Sequence, residues 1–268
     1  MSDPAPFLPF PVDEQGPRRR SRRWPWIVTL GVVLALVAAA AVGAEALARG
    51  AVQAGVRQVI VMQLDLPADQ EVDVEVDGLV LPQLLSGRLD RITVASDDVA
   101  LGPVAGDVRV ALTDVPLSAD AAAGPGTATV RLDQDQLRAL LATIDGFPAD
   151  TLGIAAPDLT IGTELSVLGA SFPVGVALQP GAAEGDLTLT PTRFTLGETE
   201  VDADALRARF GGLADAVLRT WDVCIAEHLP AALTLTSVQV DRDTLVAGFD
   251  IDGAVVIDPD LRASGSCS

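Results

Sequence analysis

Val72-Asp-Val-Glu-Val-Asp77 alternates without a break. In an extended chain it puts Val72, Val74 and Val76 on one side and Asp73, Glu75 and Asp77 on the other, so it predicts a strand with one face buried and one in water. A helix at about 3.6 residues per turn would scatter the same side chains around its circumference. Strands covered on one face only are typical of antiparallel sheets, and this one segment sets the fold class of the chain beyond it.

Downstream the pattern returns. Strands are predicted around 91–95 and over 107–113, where Val108, Val110 and Leu112 oppose Asp107, Arg109 and Ala111. Further strands are predicted at 127–132, 159–167, 172–178, 186–190, 193–196, 233–240 and 245–257. Between them, 81–87 reads as a short helical turn, with Pro82 near its start and Gly87 at its end. Residues 133–144 carry Leu137, Leu140, Leu141 and Ile144 at helical spacing. Residues 202–221 form the longest helical pattern, with Leu206, Phe210, Leu213 and Val217 on one stripe and Gly211-Gly212 weakening its middle. The fold class is α+β: a curved antiparallel sheet packed on a few helices. The alternation alone does not separate a filled core from an apolar lumen, and without further signals the filled core is favoured.

Upstream, Pro67 closes a helical segment over 45–64. Val52, Val56, Val59 and Ile60 share one of its faces, and Arg49, Gln53 and Arg57 share another. Before it, 18 residues from Ile27 to Ala44 carry no charge, and Thr29 is their one polar side chain. At ~1.5 Å per residue they cross a ~30 Å hydrocarbon core. Arg18-Arg-Arg-Ser-Arg-Arg23 precedes them and holds the N-terminus in the cytoplasm, with Trp24 and Trp26 at the interface. Ala46-Leu47-Ala48 matches a signal-peptidase site, so a cleaved signal peptide competes with an anchor; the length of the apolar run favours the anchor. The expected organisation is a disordered cytoplasmic tail with its basic run (1–23), a transmembrane helix (24–44), an exported domain (45–260) and a C-terminal tail (261–268). The protein is expected in the cell membrane, single-pass, with its domain in the periplasmic or extracytoplasmic space, or secreted if cleaved.

From residue 44 onward the chain holds 13 Arg against 34 Asp and Glu, a balance of −21. Such a surface repels nucleic acid and bare anionic lipid surfaces. Cys224 and Cys267 both fall in the exported part and read as one disulfide, the alternative being one buried and one free thiol.

Little here resembles catalytic machinery. Leu132-Asp-Gln-Asp-Gln-Leu137-Arg-Ala recurs as Val201-Asp-Ala-Asp-Ala-Leu206-Arg-Ala, with a shorter echo at Val240-Asp-Arg-Asp-Thr-Leu245. Its paired aspartates (133/135, 202/204, 241/243) suggest a metal or a glycosyl-transfer motif. Repetition at strand ends favours helix capping and duplicated strand-to-helix units instead. His228 is the single His, so no zinc site with two His ligands forms, and no G-x-S-x-G, P-loop, H-E-x-x-H or EF-hand pattern occurs. No enzyme, cofactor or metal is expected.

The arrangement resembles the actinobacterial LmeA-like phospholipid-binding family. The resemblance rests on the N-terminal span, Val74-Glu-Val-Asp-Gly78, Leu84-Leu-Ser-Gly-Arg-Leu-Asp-Arg-Ile-Thr-Val94, Asp107-Val-Arg-Val-Ala-Leu-Thr-Asp-Val-Pro116 and the Asp-x-Asp-x-Leu strand ends, over about residues 44–260. It implies an α+β fold with an apolar cavity, phospholipid binding in the cell envelope, and for the family's namesake support of lipid-linked mannan elongation, hence glycan-synthesis proteins as partners. A phospholipid's ~30 methylenes each cost ~0.8 kcal/mol in water, so a carrier needs an apolar interior and a polar exterior. The expected lipid-contacting side chains are Leu84, Leu85, Leu137, Leu141, Leu206, Phe210, Leu213 and Val217, with Arg88 and Arg91 for the headgroup. Against this phospholipid-binding or transfer protein stand an envelope scaffold with a filled core and an enzyme acting on lipid-linked glycans.

Overall fold

The computed structural model describes residues 24–63, 70–101, 104–118, 120–142, 148–167, 170–197 and 199–267. The predicted tail 1–23, Pro67 and Ile144 lie outside them. The chain divides into two compact units, 1–44 and 45–268.

Helix α1 (Trp24–Gln63) runs 40 residues, about 60 Å at ~1.5 Å per residue. Its residues before 45 are an apolar helix that could span a membrane. After 45 its apolar row, Ala48, Val52, Val56, Ile60 and Val61, packs on Val72, Val74, Val76, Val80, Leu89 and Ile92. Its polar row covers the outer edge of strand β1 (Asp73–Val76). Arg49 donates to the carbonyls of Val76 and Gly78, Gln53 Nε2 to Val74 O at 2.7 Å, and Arg57 to Gln70 O at 3.0 Å. Between Arg49 and Gln53 the spacings match, since four helical residues rise ~6 Å and two strand residues ~6.8 Å, while Arg57 reaches past β1 to Gln70. An edge that would otherwise offer free carbonyls to another chain is thereby closed.

After β1 come α2 (Val80–Ser86), β2 (Arg88–Leu101), β3 (Val104–Pro116), β4 (Gly126–Asp133) and α3 (Gln134–Leu141). Gly87 ends α2 at φ 76°, the left-handed conformation that glycine adopts without steric cost. Next follow β5 (Gly153–Ala155), β6 (Asp158–Val167), β7 (Ala170–Ala183), β8 (Asp186–Leu196), β9 (Thr199–Asp202), α4 (Ala203–Phe210), α5 (Asp215–Leu218), β10 (Trp221–Val223), β11 (Leu233–Asp241) and β12 (Thr244–Ile251). The strands form two antiparallel sheets, ordered β1-β2-β3-β4-β12-β11 and β10-β8-β7-β6-β5, with β9 beside β8.

The α+β class stands, with its curved sheet resolved into two sheets. Strand ends shift, with β2, β3 and β7 longer than expected, and three expected elements change in kind. The strands expected at 186–190 and 193–196 are one strand, β8, kinked by a register shift opposite Ala177 and Leu178. The strand expected to 257 stops at Ile251, because Asp252 caps a 3-10 turn at Gly253–Val256. The helix expected over 202–221 breaks at Gly211, where φ is 53°, and Trp221 opens β10 instead. Cys224 and Cys267 form a disulfide with Cα atoms 5.9 Å apart. It fastens a tail whose backbone already pairs with residues 229–232.

Candidate functional site

Strand register assembles the apolar side chains into rows. On one face of the first sheet, Val76, Ile92, Leu112, Gly126, Ile251 and Leu233 lie side by side across six strands. The next row is Val74, Val94, Val110, Ala128, Phe249 and Leu235, and the third is Ser96, Val108, Val130, Ala247 and Val238. Leu132, Leu245 and Val240 make a fourth. The opposite face carries Glu75, Thr93, Arg109, Thr129, Arg131 and Asp250 in the same register. A continuous apolar surface therefore spans the sheet, as strict alternation requires.

That surface is covered at its two ends. At the β1–β2 end the second half of α1 packs on it. At the β11–β12 end, Ala182 and Leu187 of the second sheet meet Leu235, Val238 and Phe249, and Leu137 of α3 joins Leu132, Leu152 and Leu159. Between these covers Val94, Val108, Val110, Leu112, Val130 and Ala247 are half-buried, and Val108 and Leu112 pack into none of the four buried clusters. A domain of this size ordinarily closes around one contiguous core. Here the buried residues separate into clusters around a partly covered apolar floor.

The second sheet repeats the arrangement. Leu159, Leu178 and Ile154 are cross-strand neighbours, as are Ile161, Val176, Phe194 and Val201. Ala203, Ala214 and Leu218 of the α4–α5 region pack against Phe194 and Leu206, while Val174 and Val176 stay half-buried and Leu196 is exposed. A cleft of about 460 Å³ lies over the other, polar face, along the row Gly162, Gly175, Thr195 and Glu200. Another of about 440 Å³ is lined by Ala123, Pro125, Thr234, Asp250 and Gly253. Both are open; Ile161, Val174 and Val176 also line the first and Ile251 the second, while Val108, Val110, Leu112 and Val130 line neither, so the apolar floor is a separate candidate for a lipid.

The expected lipid-contacting residues fall in several places. Leu84 is half-buried against the α1 cluster, while Leu85 beside it is 91% exposed. Leu137 is buried where α3 meets both sheets, with Leu141 half-buried next to it. Leu206 is half-buried under β8, and Phe210 is exposed. The side chains of Leu213 and Val217 lie outside the described ones. Arg88 is engaged by the carboxylate of Asp114 and by Ala122 O at 3.1 Å, and Arg91 Nε stands 3.9 Å from Asp77. The strand residues Val108, Val110, Leu112 and Val130 were missed as candidates, although their alternation was the signal that could have found them. Among the described residues no group of three His, Cys, Asp or Glu is placed to hold a metal.

A family model described as LmeA-like phospholipid-binding matches residues 40–249, from just before the second unit to within β12. No curated protein matches the chain. No solved structure matches it either.

Proposed function

Since the chain belongs to the LmeA-like phospholipid-binding family, we propose that residues 45–268 shelter phospholipid acyl chains on the half-buried middle of the first sheet's apolar face. The single observation that carries this is the patch of half-buried aliphatic side chains over three rows, Val108 and Leu112 outside every buried cluster with Val110 and Val130 beside them, between α1 on one side and α3 with the second sheet on the other. Burial of ~30 methylenes at ~0.8 kcal/mol each supplies ample drive for lipid to fill such a floor. The partner is a phospholipid, and the function is carriage without covalent chemistry, in support of envelope lipid or lipoglycan biogenesis alongside glycan-synthesis proteins.

In this reading the apolar first half of α1 anchors the protein N-in, and the disulfide-bearing domain faces the extracytoplasmic space, where thiols oxidise. The −21 balance keeps the carrier soluble beside the membrane and leaves lipid capture to apolar contact. Residues 45–268, purified without detergent, are to be measured by native and then denaturing mass spectrometry. A stoichiometric phospholipid released on unfolding is the expected result. A protein that stays empty after incubation with liposomes overturns carriage and favours the scaffold.

A further inference from the structure

Four leucines stand in water around one end of the folded domain. Leu47 is 78% exposed, Leu79 63%, Leu85 91% and Leu117 47%. Their backbones are tied together. The Glu45 carboxylate accepts the N–H of Val80 at 2.6 Å and that of Leu81 at 3.0 Å, which fixes the start of α2 to α1 one residue past Ala44. Leu117 N–H donates to Gly87 O at 3.0 Å and so holds the end of β3 against the end of α2. Gln83 is buried, donates to Asp77 O at 2.7 Å and accepts from Asp90 N–H at 3.0 Å. With Val80 and Gln83 turned inward, α2 is a braced turn whose outer residues are Leu79, Pro82 and Leu85.

The position of this turn along α1 identifies what covers it. The uncharged run ends at Ala44, and the headgroup layer beyond a hydrocarbon core is ~5–8 Å deep. Glu45 is the next residue of the chain and α2 is bonded to it, so α2 lies within reach of that layer. Arg49 pairs with Glu45, Arg88 with Asp114 and Arg91 with Asp77, which offsets three of the carboxylates near this end and leaves Asp90, beside Gly78, and Asp120 as its remaining charges. Exposed leucines beside charges that are mostly paired suit the apolar–polar boundary of a bilayer.

We propose that Leu79 and Leu85, with Leu47 and Leu117, form a foot that inserts into the headgroup layer of the membrane crossed by the chain's own N-terminal helix. The inference rests on the proposed N-in anchor. Its test uses the full chain in phosphatidylcholine vesicles whose acyl chains are brominated. An environment-sensitive fluorophore is placed by Leu85→Cys and, in a second sample, by Leu196→Cys, an exposed leucine of the second sheet. Resistance of the protein to alkaline extraction reports separately on the anchor. The foot predicts an extraction-resistant protein whose Leu85 label is quenched at least about threefold more than the Leu196 label. An extraction-resistant protein with the Leu85 label in water overturns the foot and leaves the anchor standing. Equal quenching of both labels overturns it too, since the domain then lies flat. An extracted protein overturns anchor and foot together.

Discussion

Asp133 and Asp202 occupy the same place in a repeated octapeptide, yet they do different work. Asp133 Oδ1 accepts the N–H of Asp135 at 2.9 Å and of Gln136 at 2.8 Å, while Gln136 Oε1 accepts Asp133 N–H at 2.9 Å, a complete capping box. Asp202 makes no cap bond and faces Arg193 Nε at 3.4 Å. Gln136 can reach back to complete the box and Ala205 cannot, while the Asp202 carboxylate is turned to Arg193 on the neighbouring strand. Asp133→Ala is expected to lower stability by about 1 kcal/mol in urea titration, while Asp202→Ala loses only an exposed ion pair, ~0–1 kcal/mol. Capping was legible in the first copy because both partners are local. The engagement of Arg88 by Asp114 was not, because the two are brought together only by the β2–β3 pairing.

At the scale of elements, alternation located the strands well because a period of two survives any tertiary arrangement. It could not give their order: β12 pairs with β4, and the residues that would fix that neighbour lie more than a hundred positions away. The polar row Arg49, Gln53 and Arg57 was visible in the sequence as a helix face, but its partner was a row of main-chain carbonyls, on which sequence leaves no mark. The longest predicted helix failed for a local reason. Gly211 sits at φ 53° and ψ −136°, a conformation closed to other residues, so the helical stripe is cut there. Gly211→Ala meets no atom within 4 Å and still forces a strained backbone, so it is expected to destabilise by about 1 kcal/mol in thermal unfolding.

The whole molecule is two antiparallel sheets whose apolar faces share buried clusters at β11–β12 and around α3 while leaving a partly covered floor between α1 and α3. Stripes on helices drew the sequence reading toward Leu206 and Phe210, whereas the half-buried residues of this floor come from strands. Val108→Trp and Leu112→Trp, at the two floor residues that join no buried cluster, add bulk there. Each is expected to reduce bound phospholipid at least about tenfold by native mass spectrometry with the far-ultraviolet circular dichroism unchanged, since a half-buried position has room that a closed core lacks. The disulfide closes a loop of sequence separation 43, and its removal by Cys224→Ala with Cys267→Ala is expected to lower stability by ~3–4 kcal/mol in the chain-entropy model, measured by urea titration. The bond from Glu45 to α2 carries a consequence for maturation. A peptidase acting after Ala48 would take away the acceptor that holds Val80 and Leu81 and leave Arg49, which grips Val76 and Gly78, as the first residue of the chain. The bond between Ala48 and Arg49 lies inside α1, so cutting it there would require that part of the helix to unwind and would release α2 from its tie to Glu45.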